Sequence, residues 1–160
     1  MAEMIMDGIL ETLYMTIVST ILAYVFGLPL GVLLVVSGKN GIKPMPTINV
    51  IISFIVNVFR SIPFLILLVA IIPFTRFIVG TMLGSTAAIV PLTVAAAPFV
   101  ARLVETSLSE VDSGVVEAAE SMGAGTWQII RKVLLPEAKP SLINNATVAT
   151  ITILGYSAMA

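Results

Sequence analysis

The run LYMTIVSTILAYVFGLPLGVLLVV, residues 13–36, carries no charged side chain, and none falls anywhere between Glu11 and Lys39. A helix that crosses the hydrocarbon layer of a bilayer needs about 20 mostly apolar residues. In lipid every backbone N–H and C=O must be satisfied within the chain, which leaves helices or a closed β-barrel. Barrel strands are short and alternate apolar with polar residues, and this run does neither. It reads as a membrane-spanning helix, and Gly27, Pro29 and Gly31 predict a kink near Pro29.

The rest of the chain repeats the pattern. No charge falls between Arg76 and Arg102 or from Pro140 to Ala160, and residues 50–74 are interrupted only by Arg60. Hydrophobic residues make up 58% of the chain and charged ones 11%, against about 25% charged in soluble domains. The expected fold is an all-α membrane protein in one domain, 1–160, with about four transmembrane helices at 13–36, 50–74, 85–101 and 141–160. The polar stripe of the last span meets no charged flank before Ala160, so the chain reads as truncated at its C-terminus.

Lys and Arg accumulate on the cytoplasmic side of membrane proteins. Lys39 and Lys43 follow the first span, and Arg102, Arg131, Lys132 and Lys139 lie between the third and fourth. Only Arg76 lies between spans two and three, and the N-terminal tail has none. The N-terminus is therefore expected outside and the loop 102–139 in the cytoplasm. That acidic tail is the opposite of a signal peptide's basic start. With no Cys and no His, disulfides are excluded and thiol or zinc chemistry loses its usual ligands. No metal, cofactor or nucleic-acid partner is expected for this chain; membrane lipid is.

Within span two, Phe59-Arg60-Ser61-Ile62-Pro63-Phe64 predicts a break, because Pro63 lacks an N–H and biases Ile62 away from helix. Were the span one straight helix ending near Phe74, Arg60 would lie about 21 Å below that end at ~1.5 Å per residue. Arg60 and Pro63 are candidates for a gate; snorkelling of Arg60 to the inner headgroups is the other reading. Span three, with Pro91, Pro98 and Ala95-Ala96-Ala97, reads as a packed central helix. In span four, Asn145, Ala149, Thr152, Tyr156 and Met159 share a face, which either lines a substrate path or bonds helices together.

The loop between spans three and four is the one sizeable amphipathic stretch. Asp112 and Ser113 can cap a helix with Glu117 in its first turn and Val115, Ala118 or Ala119, and Met122 on its apolar side. Gly123 and Gly125 end it, Thr126 caps a second helix running to Leu135, and Pro136 closes that one. A small-residue face held at the membrane surface suits insertion into a partner's groove. An interfacial helix lying on lipid would instead favour Lys or Arg opposite bulky apolar residues.

Glu117-Ala118-Ala119, Gly123, then Val133-Leu134-Leu135-Pro136, resembles the EAA signature of ABC importer permeases, with Val133 where that family more often has Ile. The stretches 59–64, 72–76, 88–94, 131–138 and 155–159 resemble the methionine importer permeases within it. The resemblance implies a type I importer permease fold of five spans, a homodimer, two cytoplasmic ABC ATPase subunits that bind ATP-Mg, and an extracytoplasmic methionine-binding protein. It implies that 114–125 is the coupling helix, with Glu117, Ala118, Ala119, Met122, Gly123 and Pro136 in the coupling loop. It also suggests that Tyr156 and Met159 contact substrate. No G-x-x-x-x-G-K-[ST] pattern occurs here, so ATP hydrolysis is expected on a partner chain and no enzyme activity on this one.

Two other readings stay open: an ABC permease for another amino acid or a quaternary amine, and a membrane subunit outside the ABC class. A secondary carrier would show internal repeats and intramembrane acids; neither is evident in the sequence.

Overall fold

The computed structural model describes residues 2–160, and among them the regular structure is entirely helical. Helix α1 is Ala2–Ser37, α2 is Pro46–Ser61, α3 is Phe64–Ala70 and α4 is Ile72–Val79. Helix α5 is Ser85–Ser109 and α6 is Ser113–Ser121. After α7, Thr126–Ile129, a π turn at Ile130–Leu134 and the short α8, Leu135–Glu137, lead into α9, Lys139–Ser157.

The α1–α5 pair is the spine. Thr16, Ser19, Ala23, Gly27 and Gly31 form a buried small-residue line along α1, at the three- and four-residue spacing of one helix face. Lipid gives no hydrophobic drive between helices, so association relies on close van der Waals packing, which small residues permit. Here the approach is extreme. A methyl group on Gly27 would meet Val100 Cγ1 at 2.7 Å and the Ala97 carbonyl oxygen at 2.8 Å, and one on Gly31 would meet Val104 Cβ at 2.6 Å and the Ala101 oxygen at 2.7 Å. The paired numbers rise together, so α1 and α5 run parallel. Helix α5 is also packed by α2, α3, α4 and α9, which makes it the central helix its sequence suggests.

Helix α1 continues through Pro29, with the proline ring on its exposed side. The break expected at Ile62-Pro63 is present: Ile62 is extended at φ −83°, ψ 121° and the axes of α2 and α3 differ by 101°. The rise calculated for Arg60 along a single helix therefore does not apply. Among the described residues, α1 and α5 are each long and apolar enough to cross a membrane, with a third span if the bent α2–α3 pair is one, where the sequence leads one to expect four. Helix α9 has the length but dilutes its apolar residues with Asn144, Asn145, Thr147, Thr150 and Thr152. The helix expected over 85–101 continues two turns further, to Ser109.

Polar ties complete the frame. Asn49 Nδ2 donates to the Leu34 carbonyl at 2.8 Å and to Ser37 Oγ at 3.1 Å, holding α2 to the end of α1. Asn145 Nδ2 donates to Ser107 Oγ at 2.8 Å and Ser141 Oγ to the same oxygen at 3.1 Å. These two bonds join the segments that enter and leave the loop between α5 and α9.

Candidate functional site

Two sites emerge, one at the loop beyond the end of α5 and one against its middle. The first is the loop helix α6. Asp112 caps it, accepting from the Gly114 N–H at 2.7 Å, a bond that satisfies one of the free N–H groups of a first turn. Its end is a Schellman turn: the Ala124 N–H donates to the Ala119 oxygen at 3.1 Å and the Gly123 N–H to the Glu120 oxygen at 2.9 Å. That turn needs a left-handed residue, and Gly123 supplies it at φ 80°.

The helix presents two faces. Ala119 is buried against the body and Val116 half-buried, packing with Ile129, Ile130 and Leu134 in the main core. Val115, Ala118 and Met122 point outward, Met122 being 82% exposed, and Trp127 on α7 adds a further exposed ring at 69%. So Ala118 and Met122 are free to meet a partner, whereas Ala119 anchors the helix from behind. Glu117 lies one residue beyond the first turn rather than in it, where the helix dipole acts on it less. It is exposed and borders, with Glu105 and Glu120, an open cavity of about 530 Å³ between α6 and the ends of α1 and α5. Sequence reasoning passed over Trp127, although a lone Trp in a polar loop is itself a signal.

The second half of the loop departs from expectation. Gly125 caps α7 in place of Thr126, with Gln128 Oε1 accepting from its N–H at 3.1 Å. Pro136 ends nothing. The widened turn just before it, in which the Leu135 N–H donates to Ile130 O, absorbs the proline ring's clash with the carbonyl four residues back. The chain then stays helical into α9.

The second site lies at the break between α2 and α3. A cavity of about 250 Å³ is lined by Phe59, Arg60, Ile62, Phe64, Ala95, Phe99 and Tyr156. Drug-sized pockets run about 300–1,000 Å³, so this space fits only a small solute. Pro63 shapes it by forcing the bend between Ile62 and Phe64. Tyr156 closes one wall by stacking on Phe64, ring centroids 4.8 Å apart and planes 6° apart. Arg60 and Tyr156, 96 residues apart in the chain, are thus brought to one cavity, and Arg60 is otherwise exposed. Met159 is not among the lining residues and is 56% exposed past the end of α9. The stripe expected on α9 divides its work: Asn145 bonds helices together, and Tyr156 lines the cavity.

The cavity at the α2–α3 bend lies against Ala95 and Phe99 in the middle of α5, and the capped helix α6, with its exposed apolar face, follows the end of α5. The profile described as "Binding-protein-dependent transport system inner membrane component" matches residues 27–160. The chain belongs to that family. Among the similar members of this inner membrane component family is the D-methionine transport system permease protein MetI of Yersinia pestis, 60% identical over 152 residues, covering 95% of this chain and 70% of the relative. The protein of the same name from Escherichia coli K12 is 56% identical over 159 residues, covering 99% and 73%. A solved structure of the MetNI methionine ABC transporter in inward-facing conformations superposes with a TM-score of 0.96 at 57% identity, covering 97% of this chain and 72% of that one. The family assignment made from the coupling-loop motif is borne out.

Proposed function

We propose that this chain is the membrane permease of an ATP-driven methionine importer. The observation that carries the reading is the 56–60% identity, across 95–99% of the chain, to D-methionine permeases. A separate ATPase subunit binds and hydrolyses ATP-Mg, an extracytoplasmic binding protein delivers the substrate, and two permease chains pair. The chain supplies no catalytic residue.

The parallel spine supports one topology. Two parallel spans, α1 and α5, require the chain to recross the membrane between them, which makes the bent α2–α3 pair with α4 the returning crossing. Helix α9, leaving the coupling loop, is then the fourth span. The ends of α1 and α5 lie on one side, where Gly38, Gly41, Glu105 and Glu117 border the same cavity. Lys39, Lys43 and the basic residues of 102–139 mark that side as cytoplasmic, with the N-terminus outside and 1–160 a single permease domain.

Helix α6 docks in the ATPase subunit through Ala118, Met122 and Val115, with Glu117 making charge contacts. Ala119 and the Schellman turn at Gly123 hold it in place, and Pro136 follows the π turn through which the loop runs on into α9. ATP-driven closure of the ATPase dimer moves α6 and shifts the population between inward- and outward-open states. Substrate passes the cavity of Arg60 and Tyr156, beside the bend that Pro63 makes, and Met159 at the helix end meets it on one side of that passage.

The test is uptake in proteoliposomes that contain this chain with its ATPase subunit and binding protein. Labelled L-methionine should accumulate with ATP, compete with unlabelled L- and D-methionine, and ignore glycine betaine. Competition by glycine betaine alone would transfer the assignment to a quaternary amine.

A further inference from the structure

We propose that Arg102 is a positioning residue that locks α2 to the cytoplasmic end of α5, so that the gate helix and the segment carrying α6 move as one body. The proposal rests on the permease reading above. Helix α2 has little else to hold it: Val56 is its one buried residue among those described, packed with Leu34 and Ala101, and Asn49 ties only its first turns to α1.

The remaining tie is the Arg102 guanidinium, 21% exposed. One arm, Nη1, donates to Glu105 a turn further along α5. The other, Nη2, donates to Asn57 Oδ1 at 2.9 Å and reaches the Ser53 carbonyl at 3.4 Å. Ser53 and Asn57 are four apart on α2 and so share a face. A planar fork with fixed donors can hold an acceptor on each of two helices at once, which a lysine ammonium on a flexible stem does less well.

The tie also sits between the two sites. Glu105 borders the cavity that Glu117 and Glu120 of α6 share. Asn57 lies just before Phe59 and Arg60, which line the cavity at the bend. Motion imposed on α6 reaches the end of α5 directly, and Arg102 carries it to α2. Sequence alone assigned Arg102 only a topological role.

The experiment uses the complex of this chain with its ATPase subunit. The chain has no cysteine, so spin labels on Val58→Cys in α2, beyond the turns that Asn49 holds, and Glu110→Cys after α5, both exposed, report one intra-protomer distance when labelled chain is diluted with unlabelled. The expected result is a single distance, unchanged between nucleotide-free and ATP-trapped complexes. Arg102→Met and Asn57→Leu should each add a second, nucleotide-dependent population, and Asn57→Asp should restore the single one. In transport assays the first two variants should lower methionine uptake per ATP hydrolysed by about fivefold, and Asn57→Asp should not.

Should Arg102→Met fail to assemble with the ATPase subunit, Asn57→Leu, which keeps the Arg102–Glu105 pair, decides the matter. A distance that changes with ATP in the unsubstituted tie, or that stays single in Asn57→Leu, overturns the proposal. Wild-type complex that takes up no methionine overturns the substrate reading instead, and the label distances still judge the tie.

Discussion

Gly31 in the α1–α5 seam and Gly123 at the end of α6 are needed for opposite reasons. Gly31 sits in an ordinary helix, where any residue could adopt its backbone angles, and the obstacle is space: Val104 Cβ and the Ala101 oxygen stand 2.6 and 2.7 Å from where a methyl would go. Gly123 has open space, since a methyl group there would meet nothing within 4 Å, but its φ of 80° strains an L side chain. The apolar helical body is specified by contact between elements, and the loop that carries α6 by local backbone chemistry. The first resists deformation, while the second keeps its outer face free for a partner.

The largest expected effect breaks the seam. Gly31→Leu should prevent recovery of folded complex. Gly31→Ala should cost about 1–3 kcal/mol, as overpacking does, read as a lower melting temperature in detergent. Trimming Val104 to Ala should not rescue Gly31→Ala, because the Cβ and the Ala101 oxygen remain. Rescue would show that the seam yields through flexible side-chain ends and would dissolve the contrast with the loop.

Next comes the loop itself. Gly123→Val should cost about 1–2 kcal/mol of local stability from left-handed strain, with Gly123→Asn much milder. The melting of the transmembrane body should stay put while association with the ATPase subunit weakens, measured by pull-down and by transport-coupled ATP hydrolysis. If Gly123→Val lowered body melting as much as Gly31→Ala, the loop would be part of the packed spine. Asp112→Ala should remove a cap worth about 1 kcal/mol, seen as faster hydrogen exchange at the amides of 114–116 without change in the seam.

Different parts of the molecule were legible in the sequence to different degrees, and the two glycines explain why. The two ends of α6 could be read because capping is local: Asp112 at its start, and Gly123 and Gly125 after its last turn, announce themselves within a few residues. The break at Ile62-Pro63 was legible for the same reason, though not its angle of 101°, which depends on what α3 packs against. Nothing near Gly27 or Gly31 names Val100, Val104 or a parallel partner helix. Nor could Tyr156 be assigned to the cavity of Arg60 and Phe64, since that contact is made by folding α9 against the bend. The Pro136 expectation failed at an intermediate level: proline does remove the bond, but a π turn upstream absorbs the cost.

The smallest prediction sharpens the comparison within a single helix. Gly8 lies in α1 like Gly27 and Gly31, yet a methyl group there would meet nothing within 4 Å and its backbone shows no positive φ. It is needed neither for space nor for conformation. Gly8→Ala should therefore stabilise the chain, by about 0.5–1 kcal/mol at most, the difference between the two residues inside a helix. The check is melting temperature beside Gly31→Ala in the same detergent, where the two substitutions should shift it in opposite directions. A loss at Gly8 comparable to that at Gly31 would mean that another surface closes on the N-terminal turns of α1 in the assembled transporter, and that the seam is not the only place where this helix is read by contact.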